Sequence, residues 1–340
     1  MYMRGLSKIY VVSIVLTLIA VVGCTKCQQP AATGGYANAD GYTRADSLVS
    51  ALGDAREFPC LLKVTDSLER TGELPQVRAI FYRTIAYNLL GQQRKSLSQY
   101  YQLTNMDVKK LNTRADVECY IYSYKDYVRL LCDMRRYDRA LREAYNADRK
   151  LRAAGHESFV DHHDIAQIIG ESQLCLGQDA EADKSFQESL EGIKTRLATH
   201  GDPLDLRECQ KTMNAIATAY MRCRKVDKAA PWIAREESLY AEALKHPHAD
   251  SIYLDEMKAE ITYLRAMLAH AQGRPADAEK AFADYLSTQS AKQLGHVINS
   301  CRYLMATGRF AEAARNMSKL DAFMAKLRSE ERRVGKECRS

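Results

Sequence analysis

Few residues of this 340-residue chain have types and spacing that could support chemistry. The strongest metal candidate is Asp161-His162-His163-Asp164, since imidazole and carboxylate groups are common metal ligands. Neighbouring helical residues point about 100° apart, so these four side chains cannot converge on one ion, and Asp161 is better interpreted as a helix N-cap. His246-Pro247-His248 has no cysteine or carboxylate cluster beside it and is interpreted as a loop. We expect neither a metal ion nor a cofactor.

The sequence also offers no convincing catalytic set. Its eight histidines are scattered, and neither a Gly-x-Ser-x-Gly turn nor a nucleotide-binding glycine-rich loop is evident. The paired carboxylates Glu236 and Glu237 are interpreted as part of a solvated helix face. An enzyme is therefore the less favoured hypothesis, and we expect this chain to be non-catalytic.

Ten cysteines could indicate disulfides in an exported protein. Most of them are widely separated in sequence, and Cys132, Cys175 and Cys223 near the ends of predicted helices are each interpreted as small buried hydrophobic residues. We therefore expect free thiols.

The first 23 residues predict a secretory signal of the lipoprotein type. Arg4 and Lys8 precede a short apolar run that ends in Val21-Val22-Gly23-Cys24, which resembles the bacterial lipobox. This predicts acylation of Cys24, followed by a flexible tether over residues 24–43, on an extracytoplasmic, periplasmic protein anchored to the membrane. The alternative is an ordinary signal peptide with an incidental cysteine.

Residues 328–340 resemble the translation of a sequencing adapter, so we treat them as a non-native tail and expect the natural reading frame to continue past Leu327. The signal segment carries two positive charges and the tail a net two, which leaves +2 of the formal +6 for residues 24–327. A nearly neutral domain gives no electrostatic argument for nucleic-acid binding, and we predict none.

A repeated spacing pattern organises residues 44–327. At six places a helix-like run ends in Gly or Arg, a small residue follows five positions later, and a second residue, usually larger, follows after four more. Composition agrees, since the chain has only seven Pro and 17 Gly and is 46% hydrophobic. The pattern predicts an all-α array of helical hairpins, in which each small residue permits close helix approach. The six triplets are Gly91-Ser96-Tyr100, Arg135-Ala140-Ala144, Gly177-Ala182-Phe186, Arg224-Ala229-Ile233, Gly273-Ala278-Phe282 and Gly308-Ala313-Met317.

This spacing is that of tetratricopeptide repeats, which implies a right-handed α-solenoid. Together with the segment from Asp66 to Gln92, it resembles the extracytoplasmic repeat domains of bacterial membrane sensor histidine kinases. The resemblance implies the sensory ectodomain of a two-component signalling protein. The chain has no phosphoacceptor histidine box, no ATP-binding glycine motif and no second transmembrane run, so kinase activity is not assigned to it. The alternative is a free-standing periplasmic lipoprotein scaffold that organises partner proteins.

In tetratricopeptide repeats, residues of the first helix beside the packing seam line a binding groove. Applied position by position, the resemblance nominates residues for binding a protein or extended peptide. Rings would supply contact area, and Lys or Arg would hold a carboxylate. The nominated residues are Phe81, Asn88, Tyr122, Lys125, Arg129, Gln167, Asn214, Tyr263, His270 and Arg302.

Overall fold

The computed structural model describes residues 41–156, 162–199, 203–246, 249–319, 321–322 and 325. Cys24, the tether up to residue 40, Asp161, Pro247, His248 and the tail from residue 328 lie outside these residues. Within the described part the regular structure is helical throughout, with no strand, as the sequence predicted. The helices are α1 (Arg44–Asp54), α2 (Phe58–Arg70), α3 (Gln76–Leu89), α4 (Gln93–Thr104), α5 (Arg114–Asp133), α6 (Tyr137–Ala153), α7 (His162–Cys175), α8 (Asp179–Thr199), α9 (Pro203–Arg222), α10 (Val226–Ala243), α11 (Ser251–Ala271), α12 (Pro275–Ser287), α13 (Leu294–Ala306) and α14 (residues 310–319).

Consecutive helices pack as hairpins, most extensively α7 with α8, α9 with α10 and α11 with α12. The first helices of successive hairpins also contact each other, α7 with α9 and α9 with α11. These three hairpins, which all belong to the C-terminal part of the chain, thus cover one another's apolar faces, which is how helical repeats bury a continuous core.

The hairpin junctions confirm the predicted register. All six junction residues have a left-handed backbone, including Arg135 and Arg224 with φ of 56° and 59°. This conformation ends a helix by turning the chain out of the α region, and glycine adopts it with less strain than arginine. The small residues five positions later are all buried: Ser96, Ala140, Ala182, Ala229, Ala278 and Ala313. Five of the six following residues are buried too. Met317 is the exception, with 40% of its surface exposed.

Helix starts follow local sequence signals. Thr43 and Asp46 form a capping box at α1, and the Asp250 carboxylate accepts a hydrogen bond of 2.8 Å from the Ile252 amide at α11. Helix α9 begins at Pro203, a residue whose fixed φ suits the first helical position.

The chain divides into two compact units, and the division falls after Tyr127 within α5. The described part of the N-terminal unit is residues 41–127. Its interior holds a buried ion-pair group in which Arg78 donates to Asp46 and Asp116, each at 2.7 Å. Tyr82 also donates to Asp46, at 3.2 Å. These partners satisfy charges that would be costly to bury alone.

The described part of the C-terminal unit runs from residue 128 to residue 325. Its core is a continuous cluster of alanines, large aliphatic residues and rings from α7 to α14. Phe186 of α8 belongs to this cluster, with edge-to-face rings at centroid distances of 5.1 Å to Tyr220 and 6.4 Å to Trp232. None of the described helices combines the length and apolar character needed to cross a membrane.

Candidate functional site

The predicted binding residues of the N-terminal unit lie mostly in its interior. The Phe81 and Tyr122 rings are 6.4 Å apart, and the Lys125 ammonium lies 5.9 Å from the Tyr122 ring centroid. Phe81 and Lys125 are buried and Tyr122 is half-buried. Asn88 is exposed, and its Nδ2 donates to the Tyr100 hydroxyl at 3.0 Å. Three of the four nominated side chains therefore come together, and their part in partner binding stays a prediction.

The predicted residues of the C-terminal unit fall at separate places. Arg129 and Gln167 meet, with 3.4 Å between Nη2 and Oε1. Asn214 donates to Glu236 at 3.1 Å, the buried Tyr263 ring lies 5.8 Å from the Tyr285 ring, and the His270 ring lies 6.5 Å from the Tyr303 ring. Arg302 is exposed on α13. Of these six residues, Arg129 and Gln167 are the two that the structure brings into contact with each other.

Arg129 belongs to a larger group that we call the arginine bracket: Arg129, Glu171 and Arg222. These residues lie on α5, α7 and α9, the first helices of three successive hairpins. The Arg129 guanidinium is 3.5 Å from one oxygen of Glu171, and the Arg222 guanidinium is 3.8 Å from the other. The Glu171 side chain is only 6% exposed, whereas those of Arg129 and Arg222 are 33% and 46% exposed. The bracket therefore presents two cationic groups at the surface around one buried carboxylate.

Further contacts hold the bracket in place. Gln167 donates a short hydrogen bond to Glu171, and Asp133 lies 4.0 Å from Arg222 with both side chains exposed. Burial by itself lowers the pKa of Arg222, but the charge of Glu171 and then of nearby thiols raises it above its ordinary value. Arg222 was not nominated from the sequence. It lies eight residues, or about two turns, after Asn214 on the same face of α9. Continuing the groove positions along that helix would therefore have identified it.

Three cysteines lie beside the bracket, and we call them the thiol cluster: Cys132, Cys175 and Cys223. Cys132 and Cys175 lie at the ends of α5 and α7, and Cys223 directly follows α9. Cys132 Sγ lies 4.0 Å from the Ser172 hydroxyl and the Cys223 thiol donates to the Leu174 carbonyl at 3.9 Å, so both approach the end of α7 that carries Cys175. The sequence interpretation treated each cysteine alone and so missed that the three lie close together. The available signal was their shared place, one to three residues before a hairpin junction.

A second polar group, which we call the acidic network, lies between α9 and α11. Arg207 donates to Glu256 at 2.5 Å and to Glu208 at 2.7 Å, and Lys211 donates to Glu208 at 3.0 Å. Glu260 completes the network. Burial first, and then the charges of Glu256 and Glu208, raise its pKa to about 7 despite the opposing Lys211 and Arg207.

The interpretation of Glu236 as solvated is wrong. Its side chain is buried, because it continues the packing face of α10 that carries Trp232 and Ile233. Burial raises the pKa of Glu236 well above its usual range, and hydrogen bonds from Asn214 and Gln210 offset this only in part. Glu237 is half-buried and its Oε1 lies 3.1 Å from Nε of Arg265.

The Asp-His-His-Asp segment is used for packing where it is described. His163 and Asp164 are both buried, and Asp164 accepts a hydrogen bond of 3.0 Å from the Thr212 hydroxyl on α9. Across the described part of the chain, no group of three or more His, Cys, Asp or Glu residues has an arrangement that could hold a metal ion.

Comparisons of the whole chain with protein-family models, curated proteins and solved structures give no match.

Proposed function

We propose that this chain is a non-catalytic partner-binding repeat protein of the tetratricopeptide type, with hairpins stacked in the right-handed sense. The proposed ligand is an extended peptide, or a flexible segment of a partner protein, that carries a carboxylate. The arginine bracket is the observation that carries this proposal, because guanidinium groups suit bidentate recognition of carboxylates. The regular hairpin junctions support the repeat assignment.

The charges of the bracket fit such a ligand. Glu171 is shared by the two guanidinium groups of the bracket, and both of these groups reach the surface. Asp133 is 72% exposed and meets Arg222 at 4.0 Å, and ion pairs of this exposed kind contribute little. A ligand carboxylate can therefore replace Asp133 beside Arg222 at small cost. Arg129 lies on the other side of Glu171, where it can bind a second acceptor of an extended ligand.

Selection of peptides from a random library with free C-termini tests the binding proposal. We expect the selected peptides to carry acidic or C-terminal carboxylates, and their affinity to fall as salt rises from about 50 mM to about 300 mM. Arg129→Gln combined with Arg222→Gln should weaken binding at least about tenfold. Arg149→Gln is the matched control, since it removes one exposed charge from α6, a second helix. Equal affinity of the double variant, with wild-type circular dichroism, would exclude the bracket as the binding site.

We further propose that the protein is lipid-anchored outside the cytoplasm and serves as a sensory ectodomain, with a lipoprotein scaffold as the alternative. The support is the Val21-Val22-Gly23-Cys24 sequence and the resemblance of the repeat spacing. Mass spectrometry of the mature N-terminus should find an acylated Cys24, and Cys24→Ala should move the protein out of the membrane fraction. The gene sequence around and beyond the Leu327 codon distinguishes the sensor from the scaffold.

A further inference from the structure

The thiol cluster lies where the ends of the first helices of three successive hairpins come together. Cys175 lies in the middle, on the helix that both other thiols approach, and the pKa values of all three thiols respond to their neighbours in the cluster. Cys132 Sγ lies 4.0 Å from the Ser172 hydroxyl, and the Cys223 thiol donates to the Leu174 carbonyl at 3.9 Å. Both outer thiols therefore lie against α7 within one turn of Cys175. A disulfide requires close Cβ atoms, and the contacts at Ser172 and Leu174 bring both outer cysteines to the same end of α7 as Cys175, as either bond requires.

The three thiols differ in exposure and in charge environment. Cys132 is buried, whereas Cys175 and Cys223 are half-buried and open to a small reagent. The hydrogen bond from Cys175 is the first cause that lowers the pKa of Cys132, and the Arg222 charge adds to it against burial and Glu171. The same hydrogen bond raises the pKa of Cys175 to about 11, and a hydrogen bond with Cys175 raises the pKa of Cys223. Cys132 is therefore the thiol of the cluster whose pKa favours the thiolate, although it is buried. Its neighbour Cys175 is more accessible.

We propose that the thiol cluster is a redox modification site in which Cys175 forms a disulfide with either Cys132 or Cys223, using a small disulfide such as oxidised glutathione as oxidant. The proposal stands apart from peptide binding and needs no partner protein. Either bond would add a covalent link between hairpins that are otherwise joined by packing, by ion pairs and hydrogen bonds such as those of Glu171, and by the chain.

The chemistry is two successive thiol–disulfide exchanges. First, the Cys175 thiolate attacks one sulfur of oxidised glutathione, which forms a mixed disulfide and releases one glutathione thiolate. Next, the Cys132 thiolate attacks the Cys175 sulfur and releases the second glutathione thiolate. Two electrons pass from the protein to the oxidant, and the two thiol protons end on two reduced glutathione molecules. Attack by Cys223 in the second step gives the alternative bond.

Disulfide mapping of the native protein tests the proposal directly. The purified full chain is incubated with oxidised glutathione, acid-quenched, alkylated in denaturant, digested and analysed by mass spectrometry. We expect peptides that join Cys175 to Cys132 or to Cys223, with loss of two free thiols per chain. Cys119 and Cys209 should remain alkylated, because both are fully buried away from the cluster.

Serine variants separate the two bonds. C132S should leave only the Cys175–Cys223 bond, C223S only the Cys132–Cys175 bond, and C175S neither, while C209S should behave as wild type. The wild-type mapping decides the question even if a variant fails to fold. The proposal is overturned if native protein keeps all three thiols, stops at glutathionylated Cys175, or forms these bonds only in urea.

Discussion

Gly170 on α7 is the position where one methyl group should destabilise the C-terminal unit most clearly. A Cβ atom built at Gly170 would lie 2.5 Å from Cε1 and 2.7 Å from Cδ1 of Phe186 on α8. Real Cβ atoms essentially never come this close, so Gly170→Ala requires the ring to move. Phe186 is buried and packed edge-to-face against the rings of Tyr220 and Trp232, which leave it little room to do so.

Two effects of opposite sign set the magnitude. Alanine is better than glycine in a helix by about 1 kcal/mol. Overpacking a well-filled core costs about 1–3 kcal/mol, and here the clash is with a ring that is itself confined. Because the ring is confined, the clash should lie in the upper part of this range, at about 2–3 kcal/mol, and we expect a net loss of about 1–2 kcal/mol in the free energy of unfolding.

Phe186→Leu supplies the second arm of a double-mutant cycle. Leucine is smaller, so it should leave space for the new methyl group, and the double variant should be more stable than the sum of the single changes by at least about 1 kcal/mol. Urea unfolding followed by circular dichroism at the helix band measures all four proteins. A Gly170→Ala protein as stable as wild type, or a cycle without coupling, would refute the close approach of α7 and α8.

Three further changes test the junctions, the buried ion pairs and the acidic network. Arg224→Gly should raise the free energy of unfolding by about 1 kcal/mol, because φ is 59° at this position. Gly273→Ala should lower it by about 1 kcal/mol, because φ is 71° there although the space around its Cβ is open. Shifts of the same sign in thermal unfolding would contradict the junction assignment. Asp46→Asn should cost about 3–5 kcal/mol in urea unfolding because Arg78 loses a buried partner, and a loss under about 1 kcal/mol would argue against this ion pair. The pKa of Glu260 is about 7 in the folded protein against a reference value of 4.5, so its contribution to wild-type stability is lost as pH rises between these values. Glu260→Gln should therefore unfold like wild type near the lower pH and be about 1–3 kcal/mol more stable above the higher one, and a pH-independent difference would contradict this assignment.

The hairpins could be predicted from sequence because their signals are local. A helix ends where a residue adopts a left-handed backbone, and the next helix must approach closely enough that only a small residue fits five positions later. Both requirements leave a fixed spacing in the chain, which is why even Arg135 and Arg224, poor residues for positive φ, were placed correctly.

The surface contacts could not be predicted in the same way, because they depend on how far each first helix is rotated against the next. The spacing between junctions varies along this chain. A single repeat template therefore cannot predict for every residue whether its side chain points to the groove or to the core. Lys125 and Arg129 lie one turn apart on α5 and were nominated together. Lys125 is nevertheless buried, whereas Arg129 is one-third exposed and reaches Glu171.

The thiol cluster shows that the direction of a side chain depends on how many residues separate it from the hairpin junction. Its cysteines lie three, two and one residues before Arg135, Gly177 and Arg224, respectively. If all three occupied the same repeat position, their side chains would point the same way from three similarly oriented helices. Each one-residue offset instead turns the side chain by about 100°, so the outer two differ by about 200°. The two outer thiols accordingly both approach α7, Cys132 at Ser172 and Cys223 at Leu174. A progressive offset of this kind is the sequence signature that we expect wherever three consecutive hairpins bring one residue type into contact.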